Sequence, residues 1–153
     1  MVVLITKKTA RKIQRTVEDS CFETGGVLLG YRFLWFTFIT ETTIPPSCMS
    51  SPSKVEFSLD GEWHTMETER LCACKWIKPC VVGLWHSHIC YGAEFSDQDC
   101  ESNRKFADVF GSIVSGIVVR DQMNFSIWYI SNVNGQTRFC KKIQLIKEEG
   151  KTR

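Results

Sequence analysis

His86 and His88 are separated by a single residue, and Asp99 follows eleven residues after the second, within Ser96-Asp97-Gln98-Asp99. Side chains at i and i+2 of an extended strand point to the same face, about 7 Å apart along the chain, so two imidazoles can converge on one ion. Neutral imidazole nitrogens suit zinc, and a carboxylate carried over from the next element makes a third ligand. Three protein ligands leave a fourth position for water, which distinguishes a catalytic zinc site from a closed structural one. The same residues admit a plainer reading. Two histidines on one strand also serve as core or surface residues, and Ser96-x-x-Asp99 has the form of a helix capping box with Ser96 as N-cap. The two readings of Ser96 and Asp99 are compatible, because a capped helix start can also present a ligand.

Hydrolysis at such an ion needs a base outside the ligand set. Glu23, in Cys21-Phe22-Glu23-Thr24-Gly25-Gly26, is the acid that stands at a strand entrance beside glycines. Taken alone it reads as an exposed acid at a helix–strand turn.

Elements of defined kind must position these residues. Val2–Ile5 has strand character, and the helical spacing of Ala10, Ile13 and Val17 predicts an amphipathic helix ending near residues 20–23. Residues 26–44 read as two aromatic and β-branched strands joined around Gly30–Arg32. Residues 45–53, with three prolines and four serines, read as a surface loop or flap. A second helix is expected from about Asp60 through Trp76, broken at Lys78-Pro79. "CVVGLWHSH" is apolar enough for a central strand. The loop 89–95 leads to a helix through "SDQDCESNRKFADVF". Strands "SGIVVR" and "FSIWYIS", an Asn134-Gly135 hairpin and a last strand "QTRFCKKIQLI" complete the order β-α-β-β-α-β-α-β-β-β. The expectation is a mixed α/β domain with a largely antiparallel sheet flanked by helices.

Composition narrows the function classes. A chain of 153 residues suits one domain, and 43% hydrophobic against 24% charged residues excludes a disordered polymer. With 19 basic and 17 acidic residues, the net charge of +2 argues against a nucleic-acid partner. The N-terminus puts its apolar stretch before its charges, unlike a secretory signal. The richest apolar run, residues 31–39, is about half a membrane span and carries Arg32. A soluble, cytoplasmic protein without a membrane partner is expected. Of eight cysteines, Cys72, Cys74 and Cys80 cluster, but not at zinc-ligand spacing, and read as free thiols. His64 reads as a surface or half-buried helix residue, and Trp63, Trp76 and Trp85 as core.

Glu23, followed at a distance by His86-Ser87-His88, seven residues, and Ser96-x-x-Asp99, resembles the motif E…H-[ST]-H-x7-S-x-x-D of the JAMM (JAB/MPN) zinc metalloprotease family. "ETGGVLLG" is similar to the family's glutamate-bearing strand entrance, and the element order agrees over residues 1–147, leaving 148–153 as a polar tail. The resemblance implies an MPN/JAB (cytidine-deaminase-like) fold and an isopeptidase or peptidase acting at the C-terminus of ubiquitin or a ubiquitin-like protein. It implies that His86, His88 and Asp99 bind zinc, that Glu23 is the general base and then passes the proton to the leaving amine, and that Ser96 stabilises the oxyanion. Many members carry proline after the second histidine, where this chain has Ile89. The short chain is similar to the compact prokaryotic branch, which includes deconjugating proteases of CBASS and bacterial ubiquitin-like anti-phage operons. Other readings within the resemblance are a non-catalytic MPN scaffold, a peptidase processing a sulfur-carrier precursor, and a role in phage tail assembly.

Overall fold

The protein is described from a computed structural model at residues 1–46, 61–89, 92–120, 124–133, 135–142 and 145–147. Its elements run β1 (Val2–Thr6), α1 (Lys7–Asp19), β2 (Gly25–Arg32), β3 (Phe36–Thr42), α2 (Gly61–Ala73), β4 (Cys80–His88), α3 (Asp97–Phe110), β5 (Ser112–Val119), β6 (Asn124–Val133), β7 (Gln136–Lys142) and β8 (Leu145–Lys147). Among the described residues, one sheet takes in every strand, in the order β7-β6-β5-β4-β2-β3-β1-β8.

The class is mixed α/β, but the sheet is not largely antiparallel. Three of its strand pairings are parallel and four antiparallel. The reason lies in the connections. A helix between two neighbouring strands forms a crossover that returns the chain in the same direction. Helix α3 does this between β4 and β5, which pair in parallel from Gly83↔Val114 to His88↔Val119. Short connections, by contrast, make β5, β6 and β7 an antiparallel meander.

The first helix forms where its apolar spacing predicts. Thr6 caps it by accepting from the Thr9 N–H, and Ala10, Ile13 and Val17 are buried. Those three join a core cluster with Val3, Ile5, Leu28, Ile39, Trp85 and Val114. Helix α3 buries Ala107 against Ile113 and Ile130 in a second cluster. Successive strand residues face opposite ways, and the β5 neighbours Ile113 and Val114 fall in different clusters, so α1 and α3 cover opposite faces of the sheet.

Several boundaries differ from expectation. The β2–β3 turn lies at residues 33–35, not at Gly30–Arg32. Gly30 is instead inside β2, where an added Cβ would stand 2.0 Å from the Phe38 carbonyl oxygen. It is a close-approach residue at the β2–β3 register shift. Helix α2 ends at Ala73, short of Trp76. The final strand divides, with β7 on one edge of the sheet and β8 on the other beside β1. The expected loop at 45–53 lies outside the described residues from 47 onward, as do Asn134 and the 148–153 tail. Among the described residues, no helix is long and apolar enough to cross a membrane.

Candidate metal centre

Strand β4 carries both histidines at its C-terminal end and is central, flanked by β2 and β5. Trp85 and Ser87 alternate with them and are buried on the opposite side of the strand, at 1% exposure each. Trp85 Nε1 donates to Thr42 Oγ1 at 2.8 Å. Gly26 lets it sit there, since a Cβ on that residue would come within 2.9 Å of Trp85 Nε1 and 2.2 Å of the Thr43 carbonyl. The register of the strand is thereby set from the side away from the histidines.

On the other side, His86 Nε2 and His88 Nε2 lie 3.0 Å apart. Asp99 comes from the first turn of α3, with Oδ1 3.3 Å from His86 Nε2 and Oδ2 3.5 Å from His88 Nε2. A tetrahedral ion with bonds of about 2.0–2.1 Å has ligand-to-ligand edges of roughly 3.3 Å. The three observed separations bracket that value, so the donor set fits zinc in both chemistry and spacing. Among the described residues, His86, His88 and Asp99 form the group able to hold a metal ion.

The atoms around the triad orient it. His88 Nδ1 is 2.8 Å from the Gly92 carbonyl oxygen. A carbonyl only accepts, so Nδ1 carries the hydrogen and, in the neutral ring, Nε2 presents its lone pair to the ion. Asp99 is fixed by the capping box. Ser96 Oγ accepts from the Asp99 N–H at 3.2 Å, and Asp99 Oδ2 accepts from the Ser96 N–H at 2.9 Å and the Ser96 hydroxyl at 2.7 Å. Ser96 thus holds a ligand, and in this arrangement its proton points to Asp99. Burial opposes ionisation of Asp99, but hydrogen bonds from His86, His88 and Ser96 outweigh it and hold the carboxyl well below the usual range. The helix N-terminus favours the same charge.

Glu23 is buried, not the exposed turn acid its position alone suggests. Burial pushes its pKa up, opposed by the fields of His88 and His86 and by a hydrogen bond from the Ile89 N–H. The carboxyl therefore lies within electrostatic reach of the histidine pair and outside the metal-holding group. Ser87 holds the segment that bears it: the Ser87 N–H donates to the Thr24 carbonyl at 2.7 Å, and Ser87 Oγ accepts from the Thr24 N–H at 2.9 Å. One strand, β4, consequently aims the imidazoles on one side and clamps the residue after Glu23 on the other.

That clamp makes a prediction. Ser87→Ala leaves the Thr24 N–H without its acceptor, at a cost of about 1–3 kcal/mol. Melting temperature should fall, and Ser87→Thr should restore it. A Ser87→Ala protein that melts at the wild-type temperature contradicts the clamp.

Proton binding at the triad predicts a second result. Hydrogen bonding to Asp99 raises the His88 pKa above its ordinary 6.5; burial opposes this, and the Gly92 carbonyl adds to it. In the metal-free protein, the stabilisation from protonated His88 is complete below pH of about 6.5 and is lost as pH rises through the raised pKa. The Asp99 contribution is present above its ordinary value of about 3.9 and is lost only as pH falls through the depressed one. A zinc ion held by the triad would compete with the proton at His88, and its affinity would change in the opposite sense to the proton's. The zinc-induced rise in Tm should grow from about pH 5.5 to 8, measured by thermal scans with and without zinc. A rise that is flat across that interval refutes competition at His88.

Of the other residues singled out, His64 and Trp76 differ from expectation, whereas Trp85 and the cysteines do not. His64 is buried at 4% exposure, with Nδ1 2.8 Å from Thr43 Oγ1. Thr43 Oγ1 also accepts from the Val27 N–H, and its hydrogen bond with His64 ties α2 to the sheet, outside the triad. Trp85 is core, whereas Trp76 is fully exposed. Cys72, Cys74 and Cys80 are free thiols, half-buried or exposed, and hold no place in the metal group. The contributions of Gly92 and Ile89 come from main-chain atoms, which no side-chain pattern announces. Phe95 lies 6.5 Å from the His86 ring and packs on Trp128 and Phe139, forming an aromatic wall beside the triad.

No family model and no curated protein sequence matches the chain. The fold is similar to that of the solution structure of protein DSY2949 from Desulfitobacterium hafniense, with a TM-score of 0.65 and 17% sequence identity over 97% of this chain and 96% of that one. At that identity the likeness speaks to the fold alone.

Proposed function

We propose that the protein is a zinc-dependent isopeptidase or peptidase of the JAMM (JAB/MPN) type, cleaving after the C-terminus of a ubiquitin-like protein or a similarly conjugated protein. The observation that carries this reading is the convergence of His86, His88 and Asp99, with the buried Glu23 held by the Ile89 N–H within electrostatic reach of both histidines. His86, His88 and Asp99 would hold zinc. When bound, the ion would polarise the scissile carbonyl and lower the pKa of a water toward about 7. Glu23, the carboxyl beside the ligand set but outside it, takes a proton from the attacking water and delivers it to the departing amine. Ile89 N–H holds that carboxyl in place. The Ser96 hydroxyl turns from Asp99 toward the developing oxyanion in the proposed cycle. An intracellular role in a bacterial conjugation or anti-phage system follows from the same family reading.

The deciding experiment measures zinc content and cleavage together. A ubiquitin-like protein fused through its C-terminus to a reporter should be cut by the zinc-loaded protein, and a chelator should stop it. A protein that takes up no zinc overturns the reading and leaves the fold as a scaffold. One that loads zinc but cuts neither fusions nor isopeptide conjugates overturns the substrate class.

A further inference from the structure

The metal centre occupies one end of the β2–β4 pair, and the other end carries an apolar surface that the proposed hydrolysis does not use. The two strands pair from Gly25↔His86 to Gly30↔Cys80, so at about 3.3 Å per residue the ends lie roughly 17–20 Å apart. At the Cys80 end, the β2–β3 turn and the connection from α2 to β4 lie side by side, joined by a 2.8 Å hydrogen bond from the Tyr31 hydroxyl to the Ile77 carbonyl.

These two segments put large apolar side chains into solvent: Leu34 at 88% exposure, Trp35 at 76%, Trp76 at 101% and Ile77 at 69%. The turn itself is well held. Phe33 N–H donates to the Phe36 carbonyl at 2.8 Å, Val2 N–H to the Trp35 carbonyl at 2.9 Å, and the rings of Phe33 and Phe36 stack at 4.5 Å. An ordered turn with its tryptophan facing water indicates a surface awaiting a partner, since scattered single exposures are common but clustered ones are not. The stretches 31–36 and 74–80 also contain Arg32, Lys75 and Lys78, all exposed, and no acid.

We infer that this end of the sheet is a docking surface for an anionic lipid bilayer. Three features select that occupant. Near-complete exposure of Leu34 and Trp76 means that they protrude, and a bilayer interface accepts protruding tryptophan and leucine without a pre-shaped pocket. The three cations complement anionic headgroups. A second copy of this chain would bring the same cations against each other. The contact is peripheral and needs no span, and it leaves the metal centre at the far end of β2 and β4, turned toward water. The inference stands apart from the proposed hydrolysis, because it uses none of the same residues.

Co-sedimentation with vesicles tests it. The full chain should bind vesicles of phosphatidylcholine containing a minor fraction of phosphatidylserine, with weaker binding at high salt and little to phosphatidylcholine alone. Tryptophan emission should shift to the blue on binding. Trp35→Ala/Trp76→Ala and Lys75→Glu/Lys78→Glu should each lose about tenfold or more in binding while keeping the wild-type Tm and zinc content. Absence of binding to the anionic vesicles overturns the inference, as does binding that both variants retain. Concentration-dependent self-association abolished by the same substitutions would also overturn it, by making a second copy the occupant.

Discussion

Under the proposed zinc hydrolysis, Glu23→Gln is expected to retain metal binding and lose turnover by roughly 10²–10⁴-fold, the usual contribution of a positioned general base. The substitution nearly preserves shape, and the amide oxygen can still accept from the Ile89 N–H that holds the native carboxyl. What it removes is the ability to take a proton. Glu23 lies outside the group that can hold the ion, so the metal should stay. Stability should hold or rise slightly, because burial already disfavours the charged form of this side chain. Zinc content, thermal melting and cleavage rate on one preparation check all three points. Wild-type turnover in the variant would remove Glu23 from the mechanism, and loss of zinc would make it a ligand instead.

Replacing Asp99 should have a different signature, since one carboxylate serves both as ligand and as part of the helix cap. Asp99→Asn retains an oxygen for the Ser96 N–H but lacks the charge, so the cap should largely survive. Zinc affinity should drop by more than the roughly 10–100-fold typical of losing an outer-shell partner, and cleavage should vanish. Asp99→Ala additionally removes the carboxylate that accepts from the Ser96 N–H and hydroxyl, while the bond from the residue-99 N–H to Ser96 Oγ survives, with a further loss of about 0.5–1.5 kcal/mol per hydrogen bond. The metal-free Asp99→Ala protein should therefore melt below metal-free Asp99→Asn, with neither stabilised by zinc. Chelator competition and paired melts give both quantities. An Asp99→Asn protein with wild-type zinc affinity would show that the carboxylate is not a ligand.

The donor atoms of this site were legible before any folding because each depends on local geometry. Residues at i and i+2 of a strand share a face whatever surrounds them, which pairs His86 with His88. Ser96 and Asp99 meet through a capping box that spans four consecutive residues. Helix α1 was equally legible, as its buried stripe repeats with the helical period.

What was not legible depends on partners distant in the chain. Gly30 carries a turn-forming residue type, yet it sits inside β2 because the Phe38 backbone packs where a side chain would be. "QTRFCKKIQLI" reads as one strand by composition, but β7 pairs with β6 while β8 pairs with β1 at the opposite edge. Burial of His64 rests on the Thr43 hydroxyl, 21 residues earlier.

The same division runs through the candidate site. Local periodicity pairs the two imidazoles and capping chemistry pairs Ser96 with Asp99, but the contacts of Asp99 with His86 and His88 span 13 and 11 residues and need the fold to bring α3 back against β4. Bringing Glu23 to them requires the β2–β4 register and the Ser87–Thr24 clamp, across 63 residues of chain. The tautomer of His88 likewise rests on the Gly92 carbonyl, a backbone atom that every residue possesses and only the folded chain can aim. Side-chain identity sets which chemistry is available. Hydrogen bonds between distant segments set whether those groups face one point.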